Sequence, residues 1–163
     1  MPTFIPDPID AQQADVPFYE ESQKLAIPGR GTEKSVQKLQ GEIIDLIARL
    51  GGGAVVFTPG QYREGERVRH GFQVMFWYGS ARGRIDCAAL PIRRETARVK
   101  DRALAQALYL LRDELQAQVY SQTYKPGAVP LIPYLMNGDG QTVTEFMVAT
   151  QNVPQLMAGS NGR

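Results

Sequence analysis

The stretch that decides the fold is VRHGFQVMFWYGSARGRIDCAAL, residues 68–90. Apolar and polar side chains alternate from Val68 to Tyr78 and again from Arg82 to Leu90, as they do in strands with one buried face. The short turn Gly79-Ser80 separates the two runs, so the sequence predicts a β-hairpin. On the first strand we expect Val68, His70, Phe72, Val74, Phe76 and Tyr78 on the buried face and Arg69, Gln73, Met75 and Trp77 on the other. On the second strand, Ile85, Cys87 and Ala89 are expected to lie opposite Arg82, Arg84 and Asp86.

Two amphipathic helices flank this hairpin in the sequence. Apolar residues recur at spacings of three and four over 33–50, which predicts a helix with Thr32 favoured over Ser35 as its N-cap. The three glycines at 51–53 end this helix, because glycine adopts the left-handed conformation that closes a helix. A longer, alanine-rich helix is predicted over 95–121.

The predicted order of elements is therefore α-β-β-β-α. A further short strand is expected at 54–58, followed by turns at Pro59-Gly60 and Glu64-Gly65. Together these elements predict an α+β fold, in which a three-stranded antiparallel sheet carries two helices on one face. The apolar stripes of the two helices can cover only that face, so the other face of the sheet is expected to stay open.

The two ends of the chain differ from this central domain. Residues 1–31 contain prolines without any periodicity and are expected to form an acidic N-terminal arm that is either flexible or docked on the domain. Residues 32–149 are predicted to form a single α+β domain with a short C-terminal extension, and residues 150–163 a disordered tail. The sequence contains no apolar run of transmembrane length and no signal-peptide pattern, so we expect a cytoplasmic protein without membrane contact.

The formal net charge of +1 conceals an uneven distribution along the chain. Residues 1–33 hold six acidic and two basic residues, whereas residues 61–104 hold ten basic and five acidic residues. Nine of those ten basic residues are arginines, whose planar guanidinium group binds phosphate and stacks on bases. The near-neutral total therefore does not argue against a nucleic-acid partner.

Three clusters in this basic segment are candidate nucleic-acid contacts. The first is the open sheet face, where Trp77, Arg82 and Arg84 combine the aromatic and cationic side chains that bind single strands. The second is the start of the long helix, with Arg93, Arg94, Arg98, Lys100 and Arg102, of which Arg98 and Arg102 share a helix face. The third is the turn Arg63–His70 around Gly65, with Arg63, Arg67, Arg69 and His70. Each cluster also has a structural interpretation: an interface formed by Trp77 and Met75, a solvated helix start, and an ordinary polar turn.

Patterns that would indicate catalysis are weak in this sequence. His70 could form an acid–base pair with Asp86 or Glu66, whereas Cys87 lies on the expected buried face and is interpreted as structural. A single histidine and a single cysteine exclude paired zinc ligands and an internal disulfide. No phosphate-binding loop or nucleophile-elbow motif is present. We therefore expect a protein that is not an enzyme and that holds no cofactor or metal.

Two resemblances to known families follow from the order of elements and a few motifs. Residues 32–147, with Leu90-Pro91, Arg102-Ala103-Leu104 and Pro133-Tyr134-Leu135 ahead of Gly138–Val143, resemble a family of small phage and prophage proteins without an established activity. That resemblance implies a phage or prophage origin. The α-βββ-α order and the basic positions His70, Arg98, Lys100 and Arg102 are also similar to double-stranded RNA-binding domains. This chain lacks the Lys-Lys pair of that family, and we do not adopt the assignment.

Three hypotheses about function follow from these observations. The first is a non-enzymatic protein that binds or anneals single-stranded DNA in phage recombination or replication, acting as a homo-oligomer in the host cytoplasm. The second is a protein–protein interaction module, a phage accessory or host-takeover factor, with Trp77 and Met75 at its interface. The third is a small hydrolase that uses His70.

Overall fold

The alternating stretch forms two strands of a three-stranded antiparallel sheet in a computed structural model that describes residues 16–150. The strands are β1 (Gly53–Glu64), β2 (Arg67–Tyr78) and β3 (Ala81–Ala88), and β2 lies between the other two. The expected inward faces are confirmed, since Phe72, Val74, Phe76, Ile85 and Cys87 are all buried. Val68 lies on the same face of β2 but beyond the core, and its side chain is 41% exposed. The predicted α+β fold class is confirmed.

The first strand is longer than the sequence predicts. The turn predicted at Pro59-Gly60 is wrong, because both residues pair with β2 in an unbroken register. β1 is an edge strand, and an edge strand tolerates proline where the missing amide would face away from its neighbour. The predicted turn at Glu64-Gly65 is found, and Gly65 adopts the left-handed conformation with φ of +62°.

Helix α1 (Val36–Arg49) begins three residues later than predicted. The hydroxyl of Ser35 accepts a hydrogen bond from the amide of Lys38 at 3.1 Å, so Ser35 is the N-cap and the predicted Thr32 cap is wrong. The Thr32 hydroxyl instead accepts a hydrogen bond from the amide of Lys34 in the preceding turn. The helix ends at the predicted glycines, where Gly51 has φ of +97°.

Helix α2 (Ala97–Ser121) packs against α1 and against the face of the sheet that carries Phe76. The Thr96 hydroxyl accepts a hydrogen bond from the amide of Val99 and caps the helix. Small side chains let α2 approach its neighbours closely; the buried residues of this helix are Ala103, Ala105, Gln106, Ala107, Leu108, Leu111 and Leu115. Both long helices therefore cover the same face of the sheet.

A glycine of β3 makes room for the largest fully buried side chain of the core. Gly83 is the register partner of Phe76, and a Cβ atom on Gly83 would lie 2.1 Å from Cζ of the Phe76 ring. The ring therefore occupies the space that any other residue at position 83 would fill. This contact couples the centre of β2 to β3.

The described part of the predicted arm, residues 16–31, packs on the domain. Tyr19 lies in a short 3-10 helix (Tyr19–Glu21) and is buried, and its amide donates a hydrogen bond to the carbonyl of Pro91 at 2.8 Å. The guanidinium carbon of Arg30 lies 3.8 Å from the centroid of the Tyr19 ring. Residues 1–15 of the predicted arm and residues 151–163 of the predicted tail lie outside the described residues.

The C-terminal extension runs along the outer edge of β3. A short 3-10 helix (Ile132–Tyr134) leads into a β-bridge between Leu135 and Gly83, and α3 (Val143–Thr150) follows. The amide of Met136 donates a hydrogen bond to the carbonyl of Arg82 at 2.8 Å, so the extension satisfies part of a strand edge. Over residues 16–150, no helix is both long and apolar enough to cross a membrane.

Candidate nucleic-acid interface

The sheet face opposite the two long helices presents side chains from all three strands. The β-register places Val56, Met75 and Arg84 in one row and Thr58, Gln73 and Asp86 in the next. Trp77 lies at one end of this face and is 45% exposed, while Val56 is 57% exposed. The exposed face thus carries one exposed aromatic side chain, Trp77, with apolar and polar neighbours. We call this surface the open face.

Trp77 and Arg82 form a stacked pair on the open face. They are direct register partners of β2 and β3, and the guanidinium carbon of Arg82 lies 5.4 Å from the centroid of the indole ring. Such a cation–π contact contributes roughly 0.5–1 kcal/mol when it is exposed. The pair leaves the ring partly accessible, so it holds the indole in position without covering it.

Arg84 lies in the neighbouring row, but carboxylates of the protein surround its guanidinium group. Its Nε donates to Asp86 at 3.0 Å, a second nitrogen pairs with Glu145 of α3, and Nη1 donates to the carbonyl of Gly140 at 3.0 Å. Burial lowers the pKa of Arg84, but the hydrogen bonds and charges of Glu145 and Asp86 outweigh burial and raise that pKa above its ordinary value. Arg84 therefore anchors the C-terminal extension, and two negative charges balance its own.

Tyr62 belongs to the open face although the sequence pattern did not single it out. Its ring crosses over Gly71, where a Cβ atom would lie 2.7 Å from the ring. The hydroxyl lies 2.9 Å from the carbonyl oxygen of Phe72 and 2.9 Å from Oδ1 of Asp86, so it can donate to either acceptor. Burial and the hydrogen bond to Asp86 raise the pKa of Tyr62 above its ordinary value. Gly71, which interrupts the alternation of large side chains in β2, is the sequence signal for this arrangement.

Arg69 also points to the open face but is bound within the protein. Its Nε donates to the carbonyl of Ala89 at 2.8 Å, and its Nη2 donates to the carbonyl of Ala88 at 3.2 Å. A third contact, 3.5 Å long, joins Nη1 to the carboxylate of Glu64. Arg69 therefore holds the end of β3 against β2.

The N-terminal segment covers two more of the predicted arginines. Arg67 donates a hydrogen bond from Nη1 to the carbonyl of Val16 at 3.1 Å, and the Arg67 guanidinium also lies over the ring of Phe18. Arg93 lies over the same ring and forms an ion pair with Glu21. The structure thus brings the turn between β1 and β2 and the loop before α2 together beneath the described part of the arm.

The basic residues at the start of α2 do not form one continuous track. Arg102 donates a hydrogen bond to the carbonyl of Lys34 at 3.0 Å and so faces the start of α1, whereas Arg98 is exposed. Arg98 and Arg102 lie one turn apart on α2, but the carbonyl of Lys34 binds Arg102, so of the two only Arg98 is exposed. Within residues 16–150, no hydrogen bond or ion pair involves the side chains of Arg63, Arg82, Arg94, Arg98 and Lys100.

His70 lies on the other face of the sheet, in a cavity of about 390 Å³ that Phe18, Val68 and Leu90 also line. Its Nε2 contacts the carboxylate of Glu95, a partner that the sequence pattern did not indicate. The proposed pairing of His70 with Asp86 is wrong, because alternation in the sheet places these two side chains on opposite faces.

Cys87 lies on the inward face of β3, away from the open face. Cys87 is buried, and desolvation raises the pKa of its thiol to about 12, which matches the structural role predicted for it. Over residues 16–150, no group of three or more histidine, cysteine, aspartate or glutamate side chains is placed to hold a metal ion. Comparison with protein-family models, with curated proteins and with solved structures finds no match to this chain.

Proposed function

We propose that this protein binds single-stranded nucleic acid, with DNA favoured, on the open face of its sheet. The observation that carries the proposal is the exposed indole of Trp77, held by Arg82 on a sheet face that the two long helices leave uncovered. A base can stack on an exposed indole whatever its identity, and such stacking contributes roughly 1–3 kcal/mol per base. The proposed contact is therefore tolerant of sequence.

Charge supports the same surface through a small number of residues. Arg82 meets no carboxylate among residues 16–150, so its positive charge remains available to a phosphate near a base stacked on Trp77. Arg84 does not contribute in this way, because Asp86 and Glu145 balance its charge. The proposed site is thus an aromatic platform with one adjacent cation, and we expect its affinity to depend only moderately on salt concentration.

The biological setting of the proposal follows from the resemblance of residues 32–147 to small phage and prophage proteins. We place the activity in recombination, annealing or replication, in the cytoplasm of a host cell. Several copies would bind side by side along one strand, because one open face accommodates only a few nucleotides.

The emission of Trp77 tests the proposal directly, because Trp77 is the only tryptophan of the chain. Adding oligothymidylate of about 20 nucleotides should quench this emission at low salt, since a stacked base quenches indole fluorescence. Anisotropy of a labelled oligonucleotide provides a second measurement and also reports on variants that lack the indole. If neither signal changes for single-stranded DNA or RNA at low salt, the proposal is wrong.

Two variants and one matched control separate the open face from general electrostatic attraction. Trp77→Ala should weaken oligonucleotide binding by about tenfold or more, which corresponds to the loss of one stacked base. Arg82→Ala should weaken binding and reduce its salt dependence by about one phosphate contact. Arg49→Ala removes an equal charge from the exposed side of α1 and should leave the affinity nearly unchanged.

A second candidate function uses the same face for contact with a protein, as the exposed Val56 beside Met75 and Trp77 favours. Large apolar and aromatic side chains of this kind form the centre of many protein interfaces. Sedimentation of the parent chain and of Trp77→Ala separates the candidates. Loss of self-association with unchanged oligonucleotide affinity would favour the protein interface, and the reverse result would favour nucleic-acid binding.

A further inference from the structure

Phe18 of the N-terminal segment stacks on two arginines that are far apart in the sequence. The guanidinium carbons of Arg67 and Arg93 lie 5.0 and 4.4 Å from the centroid of the Phe18 ring. Arginine guanidinium groups bind the π-face of a nucleobase in the same way that they bind a phenyl ring. The two arginines therefore form a site for a flat aromatic ring.

Two glutamates beside Phe18 supply negative charge to the same place. The carboxylate of Glu20 accepts hydrogen bonds from the amides of Arg93, at 3.1 Å, and of Arg94, at 3.2 Å, while Glu21 pairs with the Arg93 guanidinium. Partial burial raises the pKa of Glu20, but hydrogen bonds from its own amide and from the amides of Arg94 and Arg93 outweigh burial and lower it overall. The amides of Arg93 and Arg94 and the guanidinium group of Arg93 thus form a site that binds an anionic group.

We infer that Arg67, Arg93 and Arg94 form a second binding site, for one nucleotide unit of a single strand, which residues 16–21 occupy in the isolated chain. The aromatic ring of Phe18 takes the place of a base, and the carboxylates of Glu20 and Glu21 take the place of phosphates. The inference rests on the proposed function, because it assigns the same class of ligand to a second place on the molecule. We call residues 16–21 the arm segment.

The cavity beside Phe18 provides room for a base once the Phe18 side chain moves aside, while Tyr19 stays buried in the core. Its volume of about 390 Å³ falls within the range of small-molecule sites. Val68, Leu90 and Ile92 line it with apolar surface, while Gln61 adds a polar group that can bond the edge of a base. The carboxylates of Glu66 and Glu95 also line the cavity, and Glu95 contacts His70. The site therefore combines stacking, hydrogen bonding and anion binding.

The arm segment and the strand then compete for the same arginines. A ligand whose site is open in only a fraction of the molecules binds more weakly by that fraction. The stacking of Phe18 and the ion pair of Glu21 are exposed contacts of modest strength, so releasing them should tighten strand binding by roughly 5- to 30-fold. The guanidinium groups that the arm segment contacts are those of Arg67 and Arg93. Freeing these two should also steepen the salt dependence by about 1.4 in the slope of log K against log salt, since each phosphate contributes about 0.7 for a single strand.

The test uses the full chain and labelled oligothymidylate of about 20 nucleotides at several salt concentrations. The double variant Glu20→Gln/Glu21→Gln removes the two charges, and Phe18→Ala removes the ring without changing the net charge. Both should bind the oligonucleotide more tightly than the parent chain and with a steeper salt dependence. Adding Arg67→Ala and Arg93→Ala to the double glutamine variant should cancel the gain.

A matched control distinguishes a local effect from a change in net charge. Glu33→Gln/Asp45→Asn removes two acidic groups outside the arm segment, so it should change the affinity by less than the double glutamine variant does. If the parent binds through Trp77 and the arm variants bind no more tightly than this control, the inference is overturned while the proposed function stands. If neither the parent nor the arm variants bind the oligonucleotide, both are overturned.

Discussion

Replacing Gly83 by alanine should test how tightly the core of this sheet is packed. The added Cβ would lie 2.1, 2.5 and 2.6 Å from Cζ, Cε2 and Cε1 of Phe76, whereas carbon atoms in contact normally lie about 3.5–4.0 Å apart. Phe76 is only 1% exposed, so its ring must move by more than an ångström within a close-packed core. Overpacking of this kind lowers the free energy of unfolding by about 1–3 kcal/mol. Replacing a strand glycine by alanine raises it by about 0.5–1 kcal/mol, because glycine loses more conformational freedom on folding. We therefore expect Gly83→Ala to lower the free energy of unfolding by about 1–2 kcal/mol, or Tm by about 2–8 °C.

Thermal and urea unfolding, followed by circular dichroism, measure this effect against a matched control. Gly60→Ala adds the same methyl group to a strand glycine whose Cβ would meet no heavy atom within 4 Å, so its stability should equal or slightly exceed that of the parent. Phe76→Leu replaces the ring that causes the clash by a smaller side chain. The double variant Gly83→Ala/Phe76→Leu should therefore be more stable than the sum of the single changes predicts. If Gly83→Ala is as stable as Gly60→Ala and shows no coupling to position 76, the packing argument is refuted.

Three further predictions concern the caps, the thiol and an ion pair. Ser35→Ala should destabilise the protein by about 0.5–2 kcal/mol in urea unfolding, whereas Thr32→Ala should cost less, because only Ser35 caps α1; equal effects would contradict the assignment. Because burial raises the pKa of the Cys87 thiol to about 12, a thiol reagent at pH 8 should react only after unfolding, and rapid labelling of the native protein would contradict its burial. The hydrogen bond from Lys34 lowers the pKa of Glu42 below its ordinary value of 4.5 despite partial burial. The ionised Glu42 therefore stabilises the protein at pH values above about 4.5, and this stabilisation is lost as the pH falls through the lower pKa of the folded state. Glu42→Gln should thus be less stable than the parent at about pH 7, with a smaller difference at about pH 3; a difference that stays constant between the two would show that the charge of Glu42 is not responsible.

The hairpin was predictable because its decisive information is local. Alternation with a period of two places Phe72, Val74 and Phe76 on one face of a strand wherever that strand lies, and burial in the structure follows this alternation. The short glycine-containing turn after Tyr78 required the next strand to return antiparallel. The apolar stripes of α1 and α2 indicated by the same reasoning that both helices cover this face.

The errors at the ends of elements have a common physical origin. Proline usually interrupts a strand, but β1 can contain Pro59 because β1 lies at the edge of the sheet. The local sequence does not indicate that edge position. Thr32 and Ser35 are both capable of capping α1, and the packing of the preceding chain decides where the helix begins. For Pro59, the outcome thus depends on a strand order that the local sequence does not contain.

The candidate site was predicted only in part, for the same reason. The neighbourhood of Trp77 and Arg82 follows from hairpin register and was expected from the sequence. Tyr62 was not expected, because its approach to Asp86 requires the long pairing of β1 across β2. The contact of His70 with Glu95 was not expected either, since it depends on how the loop before α2 folds back.

The amino-acid sequence alone determined the order of the elements, the inward faces of β2 and β3 and the concentration of arginine in the middle of the chain. Periodicity and composition are local properties, so a linear reading is sufficient to find them. The tertiary structure decided which arginine charges remain available to a ligand. Arg84 meets Glu145 and Arg93 meets Glu21 across long stretches of chain. Among residues 16–150, the Arg82 guanidinium lies against the ring of Trp77 and meets no carboxylate. A guanidinium group is neutralised by whatever carboxylate the fold brings within a few ångströms, and sequence distance carries no information about that contact.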